Sequence, residues 1–184
     1  DEAFELDMDS AITSINPAPI SLLGDVELTI SGFGFACDES SESFSVSYEG
    51  TDASFACKTI SAAYDEVICH LQRIAVDPTS DSRPTEFIVS GDWGSSAQLS
   101  ASDSMTPKIT EVVVSADKAS ITVTGSDLDA LVGSIDGESF DCSGGSCSTP
   151  SVGSGLHDIY WRSTVGAANF VDAYIEIVPE VSTV

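Results

Sequence analysis

Five cysteines are the residues of this 184-residue chain whose spacing most clearly suggests chemistry. Four of them form two local pairs, Cys57 with Cys69 and Cys142 with Cys147, and Cys37 is left over. Zinc sites usually combine two closely spaced pairs, and Cys57 and Cys69 are too far apart to supply one. The spacing therefore favours two disulfides, with metal ligation or free thiols as the alternatives. Because disulfides persist in oxidising compartments, the pairs predict a secreted protein.

The leftover cysteine follows a predicted strand, in the segment Phe35-Ala-Cys-Asp38, where a loop is expected. Three states remain open for Cys37: a buried thiol, a disulfide to another chain, or an unforeseen pairing within this one. We treat it as a candidate intermolecular thiol.

Groups suited to catalysis are sparse. The two histidines are His70, in a predicted strand, and His157, in the predicted turn Gly155-Leu-His-Asp158. Composition does not exclude a Ser/His/Asp arrangement, but the chain has no Gly-x-Ser-x-Gly nucleophile elbow. Cys69 could not act as a nucleophile beside His70 if it is disulfide-bonded. We interpret both histidines as surface residues and predict no catalytic residues and no enzymatic activity.

Acidic side chains are abundant enough to suggest Ca²⁺, which binds six to eight oxygen ligands. The candidate ligands are Asp127 with Asp129, Asp136 with Glu138, and Asp77 with Asp81. None of these pairs matches the EF-hand spacing or the Gly-rich nonapeptide repeats. We therefore predict no metal site and no cofactor, with Ca²⁺ as the alternative.

Charge restricts the partners of the chain. Thirty acidic residues face six basic ones, for a formal net charge of -24, and the basic residues are scattered singly. Binding to nucleic acid needs clustered Lys and Arg, and anionic membranes repel such a surface. No apolar run approaches the roughly 18 residues of a membrane span. We predict protein partners, with neither nucleic acid binding nor membrane insertion.

Two tryptophans lie at comparable places in the two halves of the chain. An exposed tryptophan can form a platform for sugars, and a buried one anchors a core. Trp93, in Gly91-Asp-Trp-Gly94, is predicted on a loop and is our candidate ligand-facing aromatic, although a packed hairpin turn would explain it equally. Trp161, in Ile159-Tyr-Trp161, is predicted to be partly buried.

The elements that must position these residues are short strands. Hydrophobic residues make up 42% of the chain, enough for a core, and most apolar runs alternate. Period-2 runs rich in Val, Ile, Thr and Phe, bounded by Gly, Asp and Ser, are typical of half-buried strands. The clearest are 25–30, 43–48, 67–71, 86–90, 108–114, 119–124, 158–161 and 173–178. No segment keeps a 3.6-residue period, so the pattern predicts antiparallel β-sandwiches.

The chain also repeats itself loosely. In each copy a first strand leads through a connection to a second strand that ends at a glycine, and a Gly turn and a cysteine pair follow. The copies predict two β-sandwiches, joined by the polar stretch 100–107. The predicted units are an acidic N-terminal segment 1–10, sandwiches 11–105 and 107–179, and a C-terminal strand or start of a further repeat, 180–184.

The segment Ile12-Thr-Ser-Ile-Asn-Pro17, followed by the run 26–35, resembles the opening of an IPT/TIG domain. These are immunoglobulin-like modules of plexins, the hepatocyte growth factor receptor, fibrocystin and some transcription factors. In the extracellular members a cysteine pairs with a second cysteine in a strand often followed by x-Thr-Pro. Cys147-Ser-Thr-Pro150 is similar to that ending, and the first cysteine pair has the family's spacing. The resemblance covers most of 10–105 and, more weakly, 107–179.

The resemblance implies an all-β chain of two tandem immunoglobulin-like (E-set/IPT-type) antiparallel β-sandwiches. The transcription-factor branch binds DNA through basic loops, which this chain lacks, so the extracellular branch of interaction modules is implied. Two departures stand out: the first copy has Leu22-Leu-Gly-Asp25 in place of Gly-Gly, and the second copy lacks the proline after its first strand.

The C-terminus repeats the start of the second copy, because Pro179-Glu-Val-Ser-Thr-Val184 has the pattern of the segment 107–112. Such a strand could complete the sheet of a neighbouring subunit, although an ordinary tail is the alternative. We predict a non-enzymatic, extracellular or cell-surface structural or adhesion protein that binds neighbouring immunoglobulin-like domains or copies of itself, in an array or filament. The alternative is a carbohydrate-binding accessory module of a secreted or cell-surface protein.

Overall fold

The computed structural model describes residues 10–35, 44–48, 54–74, 86–91, 95–115, 120–129, 131–144, 146–148, 153–169 and 174–177. Within them the chain is almost entirely β, with one 3₁₀ turn at Asp103–Met105. The prediction of an all-β immunoglobulin-like fold is confirmed. In these residues, no helix is long and apolar enough to cross a membrane.

The first sheet contains eight strands from the N-terminal part of the chain. They are β1 Ala11–Asn16, β2 Ile20–Ser21, β3 Gly24–Phe33, β4 Phe44–Tyr48, β5 Ser54–Ala62, β6 Glu66–Arg73, β7 Glu86–Gly91 and β8 Ser96–Ser102. Their spatial order is β1-β3-β6-β5-β4-β7-β8-β2. All neighbours are antiparallel except β2 and β8, which are parallel.

The second sheet contains the remaining eight strands. They are β9 Lys108–Val114, β10 Ser120–Ser126, β11 Val132–Ile135, β12 Glu138–Ser143, β13 Ser146–Ser148, β14 Gly155–Ser163, β15 Gly166–Ala167 and β16 Tyr174–Ile177. Their order is β15-β14-β11-β12-β13-β10-β9, and β16 also pairs with β14. We call each curled sheet with its enclosed core a module.

Each module has its own hydrophobic core, to which the longer strands contribute mostly alternate side chains. Leu28 and Ile30 of β3 are fully buried in the first core. Trp161 is 1% exposed in the second core, where its ring meets Phe140 edge to face at 5.6 Å. The prediction of partial burial for Trp161 is therefore wrong. Its position on β14 alternates with Tyr160, which points outward and is half-buried.

The repeat in the sequence corresponds to a repeat in the structure. A Cβ atom on Gly32 of β3 would lie 2.1 Å from the carbonyl oxygen of Ala11, and one on Gly125 of β10 would lie 1.9 Å from that of Lys108. β1 passes so close to β3, and β9 so close to β10, that no side chain fits at either glycine. The two modules thus begin with the same strand crossing.

The polar stretch between the modules is folded. β8 continues to Ser102, whose hydroxyl caps the 3₁₀ turn by accepting a hydrogen bond from the Ser104 amide. Thr106, which follows the turn, is 1% exposed. The connection is therefore short and structured, so the way it packs fixes how the modules meet.

Candidate functional site

Two disulfides lie at corresponding places in the modules. Cys57 of β5 is bonded to Cys69 of β6, with Cα atoms 5.4 Å apart. Cys142 of β12 is bonded to Cys147 of β13, with Cα atoms 4.2 Å apart. These are the pairs that the sequence analysis expected. Each bond joins neighbouring strands, so the four cysteines have a structural role.

The other candidates from the sequence are distributed differently. Cys37, Trp93 and the pair Asp77 and Asp81 lie outside the described residues, so what was expected of them stays a prediction. Within the part of the chain that the structure describes, no three His, Cys, Asp or Glu side chains are grouped to hold a metal ion.

One calcium candidate, Asp136, instead binds a histidine of the second module. The Nδ1 atom of His157 lies 2.7 Å from Asp136 Oδ2, and its Nε2 atom lies 2.9 Å from the carbonyl oxygen of Gly153. Both partners are acceptors, so only the imidazolium form can donate to both. The hydrogen bond to Asp136 and then that to Gly153 raise the pKa of His157, and the His157 bond lowers the pKa of Asp136.

This pair predicts a pH dependence. The His157 contribution to stability is complete below its ordinary pKa of 6.5 and is lost as pH rises through the higher folded value. The Asp136 contribution is present above 3.8 and is lost as pH falls through the lower folded value. We expect an NMR titration of His157 to have its midpoint above 6.5. A midpoint at or below the ordinary value would contradict the pairing, and Asp136→Asn is the control that should lower it.

The modules meet at a cluster of polar side chains around Asp25, the second residue of β3. The hydroxyl of Tyr160, on the outer face of β14, donates to Asp25 Oδ2. The Nε2 atom of His70 lies 3.0 Å from Asp25 Oδ1. Arg73 lies over the Tyr160 ring, 5.8 Å from its centroid, and donates to the carbonyl of Ala168 at 3.3 Å. Asp25 and Arg73 of the first module thus contact Tyr160 and Ala168 of the second, and His70 is hydrogen-bonded to Asp25.

Burial is the main cause that raises the pKa of Tyr160, and its bond to Asp25 adds to the effect. The phenol therefore stays protonated and serves as a donor, not as a nucleophile. His70, which we expected on the surface, is 34% exposed and faces Asp25. It is therefore partly exposed, and β3 places the Asp25 carboxylate beside it. This cluster is suited to holding two modules in one orientation.

A second set of contacts at the junction centres on two fully buried polar residues, Ser21 and Thr106. The amide of Ser21 donates to the carbonyl of Val165 at 2.8 Å, and its hydroxyl donates to the carbonyl of Ala167 at 2.7 Å. Thr106 Oγ1 accepts from the Leu22 amide at 2.9 Å. Because buried polar groups that lose their partners are costly, these bonds strongly favour the observed arrangement. They join β2, the connection and the turn after β14.

Gly166 completes the junction by close approach. Its φ is +133°, a conformation that side chains rarely adopt, and a Cβ atom there would lie 2.4 Å from the Gly24 carbonyl oxygen and 2.7 Å from Ser21 Cβ. Only a glycine allows the two backbones to come this close. The junction is therefore packed like a domain interior, and not like a flexible tether.

An open cleft of about 300 Å³ lies beside the junction. Its lining includes Asp25 and Glu27 of the first module and Arg162 of the second. His70 stood out in the sequence as one of two histidines, but nothing in the sequence indicated that it would contact Asp25. Asp25 and Tyr160 are 135 positions apart, and nothing local marks either as a contact residue.

Parts of known proteins are similar to this chain. The IPT/TIG domain family model matches residues 10–106, which include the whole first sheet and more than half of the chain. The chain belongs to the IPT/TIG domain family. The resemblance expected from the sequence is confirmed for the first module, where its motifs were strongest. The second module lies beyond the matched residues and shares the strand crossing and disulfide of the IPT/TIG module.

Solved structures of similar shape include two of the plexin A4 extracellular region. One contains domains 1 to 8 and is 14% identical, with a TM-score of 0.45, covering 92% of this chain and 18% of that one. The other contains domains 1 to 10 and is 14% identical, with a TM-score of 0.47, covering 93% of this chain and 16% of that one. This chain thus spans less than a fifth of either plexin chain. A search of curated proteins finds no match.

Proposed function

We propose that this IPT/TIG chain is a non-enzymatic structural or adhesion protein of the cell surface or extracellular space. Its two disulfides would be reduced in most cytosols, which supports an oxidising compartment. The buried junction supports a mechanical role, since it holds two immunoglobulin-like modules in a defined orientation and so presents their edges and ends in fixed geometry. Its partners are proteins, including copies of itself.

The observation that carries self-association is the edge of the second sheet. β9 pairs with β10 on one side. On its other side, among the described residues, only the start of the strand is occupied, where Lys108 bridges to Asn169. Val113, near the end of β9, is an exposed apolar side chain. An exposed strand edge is a template for pairing with a strand from another chain.

Charge predicts when the association occurs. Copies with a net charge of -24 repel one another, and the range of the repulsion falls from about 10 Å at 0.1 M salt to about 3 Å at 1 M. We expect sedimentation velocity to show 19.1 kDa monomers at low salt and larger species at high salt. Monomers alone at every salt concentration, with and without Ca²⁺, would contradict self-association.

A matched pair of variants tests the role of the edge. Val113→Lys places a charge on the outer strand and should weaken association. Thr122→Lys adds the same charge directly opposite, on the inner strand β10, because Thr122 and Val113 are cross-strand partners. The Thr122→Lys variant should associate like the wild type. Equal behaviour of the two variants would show that β9 is not the contact.

A further inference from the structure

The end of the first module opposite the junction carries two exposed aromatic side chains among the described residues. Phe33, at the end of β3, and Tyr64, in the turn between β5 and β6, are each 46% exposed. The two segments are adjacent, because the Phe35 amide donates to the Tyr64 carbonyl at 3.1 Å. Ser10 also reaches this end, where its hydroxyl donates to the Gly34 carbonyl at 2.7 Å. We call this surface the entry end.

The corresponding end of the second module is already docked on a module. Gly34, just after β3, has a φ of +78°, and Asp127, just after β10, has a φ of +56°, so the two turns match. Asp127 lines a junction cleft of about 220 Å³ together with Ser104 and Met105 of the connection. Within the chain, this end of the second module is covered by the end of the first module that adjoins the connection. The corresponding end of the first module would be covered by the same kind of surface on another module.

The two entry ends differ in chemistry. Phe33 of the first module occupies the place of Ser126 in the second, one residue after the crossing glycine. Ser126 is exposed and bonds to the neighbouring carboxylate, Asp127. An exposed aromatic in place of this serine gives the first module an apolar contact surface that the second does not have.

The end of the second module away from the junction carries a surface suited to this contact. β8 ends where the first module meets the second, and its counterpart β16 ends beside Leu156, which pairs with Glu176. Leu156 is 68% exposed, the highest value among the exposed large apolar residues that the structure describes. The neighbouring His157 and Asp136 hydrogen bonds order this end. We call this surface the outer end.

We propose that the entry end of one copy docks on the outer end of a second copy, with Phe33 and Tyr64 against Leu156. This inference rests on the proposed self-association and names a contact distinct from the β9 edge. It repeats between chains the order of modules seen within the chain. Because the two surfaces differ, the contact is heterologous and head to tail, and its repetition gives an open filament when the rotation between copies does not close a ring.

Single variants on each surface test the contact. Burial of a half-exposed aromatic or leucine favours association, so Phe33→Ser and Leu156→Ser should each weaken it about tenfold in 1 M NaCl, measured by sedimentation. Phe33→Leu should retain most of it, which separates loss of the contact from loss of the fold. Circular dichroism of all variants checks that the sheets are intact.

Mixing the two serine variants gives the decisive result. Phe33→Ser keeps an intact outer end and Leu156→Ser keeps an intact entry end, so an equimolar mixture should associate more strongly than either variant alone, because only the mixture can form the end-to-end contact. No recovery on mixing, or wild-type association of both variants, would overturn the end-to-end contact. If Val113→Lys still weakens association in that case, the proposed function stands and only this inference fails. A wild type that stays at 19.1 kDa in 1 M NaCl would overturn both.

Discussion

Gly166→Ala should open the junction between the modules. The new Cβ would lie 2.4 Å from the Gly24 carbonyl oxygen, and the φ of +133° is unfavourable for alanine. Strain of this kind costs about 1–3 kcal/mol, and a forced contact adds to it, so we expect a loss of roughly 2–4 kcal/mol. The reporter is the Ser21 amide, which donates to the Val165 carbonyl across the junction. Its hydrogen exchange should become faster by at least a factor of about 10.

Gly137→Ala is the matched control. Gly137 also has a positive φ, of +87°, but no atom lies within 4 Å of the Cβ that it would gain. It lies in the turn between β11 and β12, so the variant carries the backbone strain without the clash. Exchange at Ser21 should then be unchanged. Equal effects of the two variants on Ser21 would mean that the close approach of Gly166 does not hold the junction.

Removal of the Cys57–Cys69 disulfide should destabilise the first module strongly. The two residues are 12 positions apart, and by chain entropy closing this loop contributes about 3 kcal/mol. Both cysteines are buried in the first core, so the double variant Cys57→Ala, Cys69→Ala also loses packing there. We expect hydrogen exchange measured by mass spectrometry to rise mainly in peptides from β3, β5 and β6.

The double variant Cys142→Ala, Cys147→Ala is the comparison. Its loop is shorter, because the two cysteines are 5 positions apart, so chain entropy gives about 2 kcal/mol. Its exchange should rise mainly in peptides from β10, β12 and β13. If the first variant raised exchange equally in both modules, the cores would unfold as one unit. That result would contradict our description of two separately packed modules.

The strands that the sequence predicted were those with strong alternation. The run 108–114 corresponds to β9 in full, because its β-branched residues alternate between core and surface. β8 was not predicted as a strand, although Ala97, Leu99 and Ala101 alternate with polar residues. Small side chains give a weak apolar signal, so the end of this strand resembled part of a polar connection. The tendency of a segment to form a strand depends on the burial of its side chains. The sequence indicates this burial only where the buried side chains are large.

The junction could not be predicted in the same way. Ser21 and Thr106 have no local pattern, and their burial depends on a second module that packs more than 50 residues further along the chain, at Val165 and Ala167. Gly166 at the start of β15 suggests a nearby turn, but its close contact with Gly24 depends on the folding of both modules. Local periodicity therefore indicates the modules, and only the folded chain shows how they are joined.

Residual dipolar couplings of the backbone amides show whether the two modules form one rigid unit in solution. The wild-type protein should be measured as a monomer at low salt. We predict that a single alignment tensor fits the couplings of both modules in the orientation described here, since buried hydrogen bonds and Gly166 fix the junction. Two tensors of different magnitude, one for each module, would show independent motion and contradict the account.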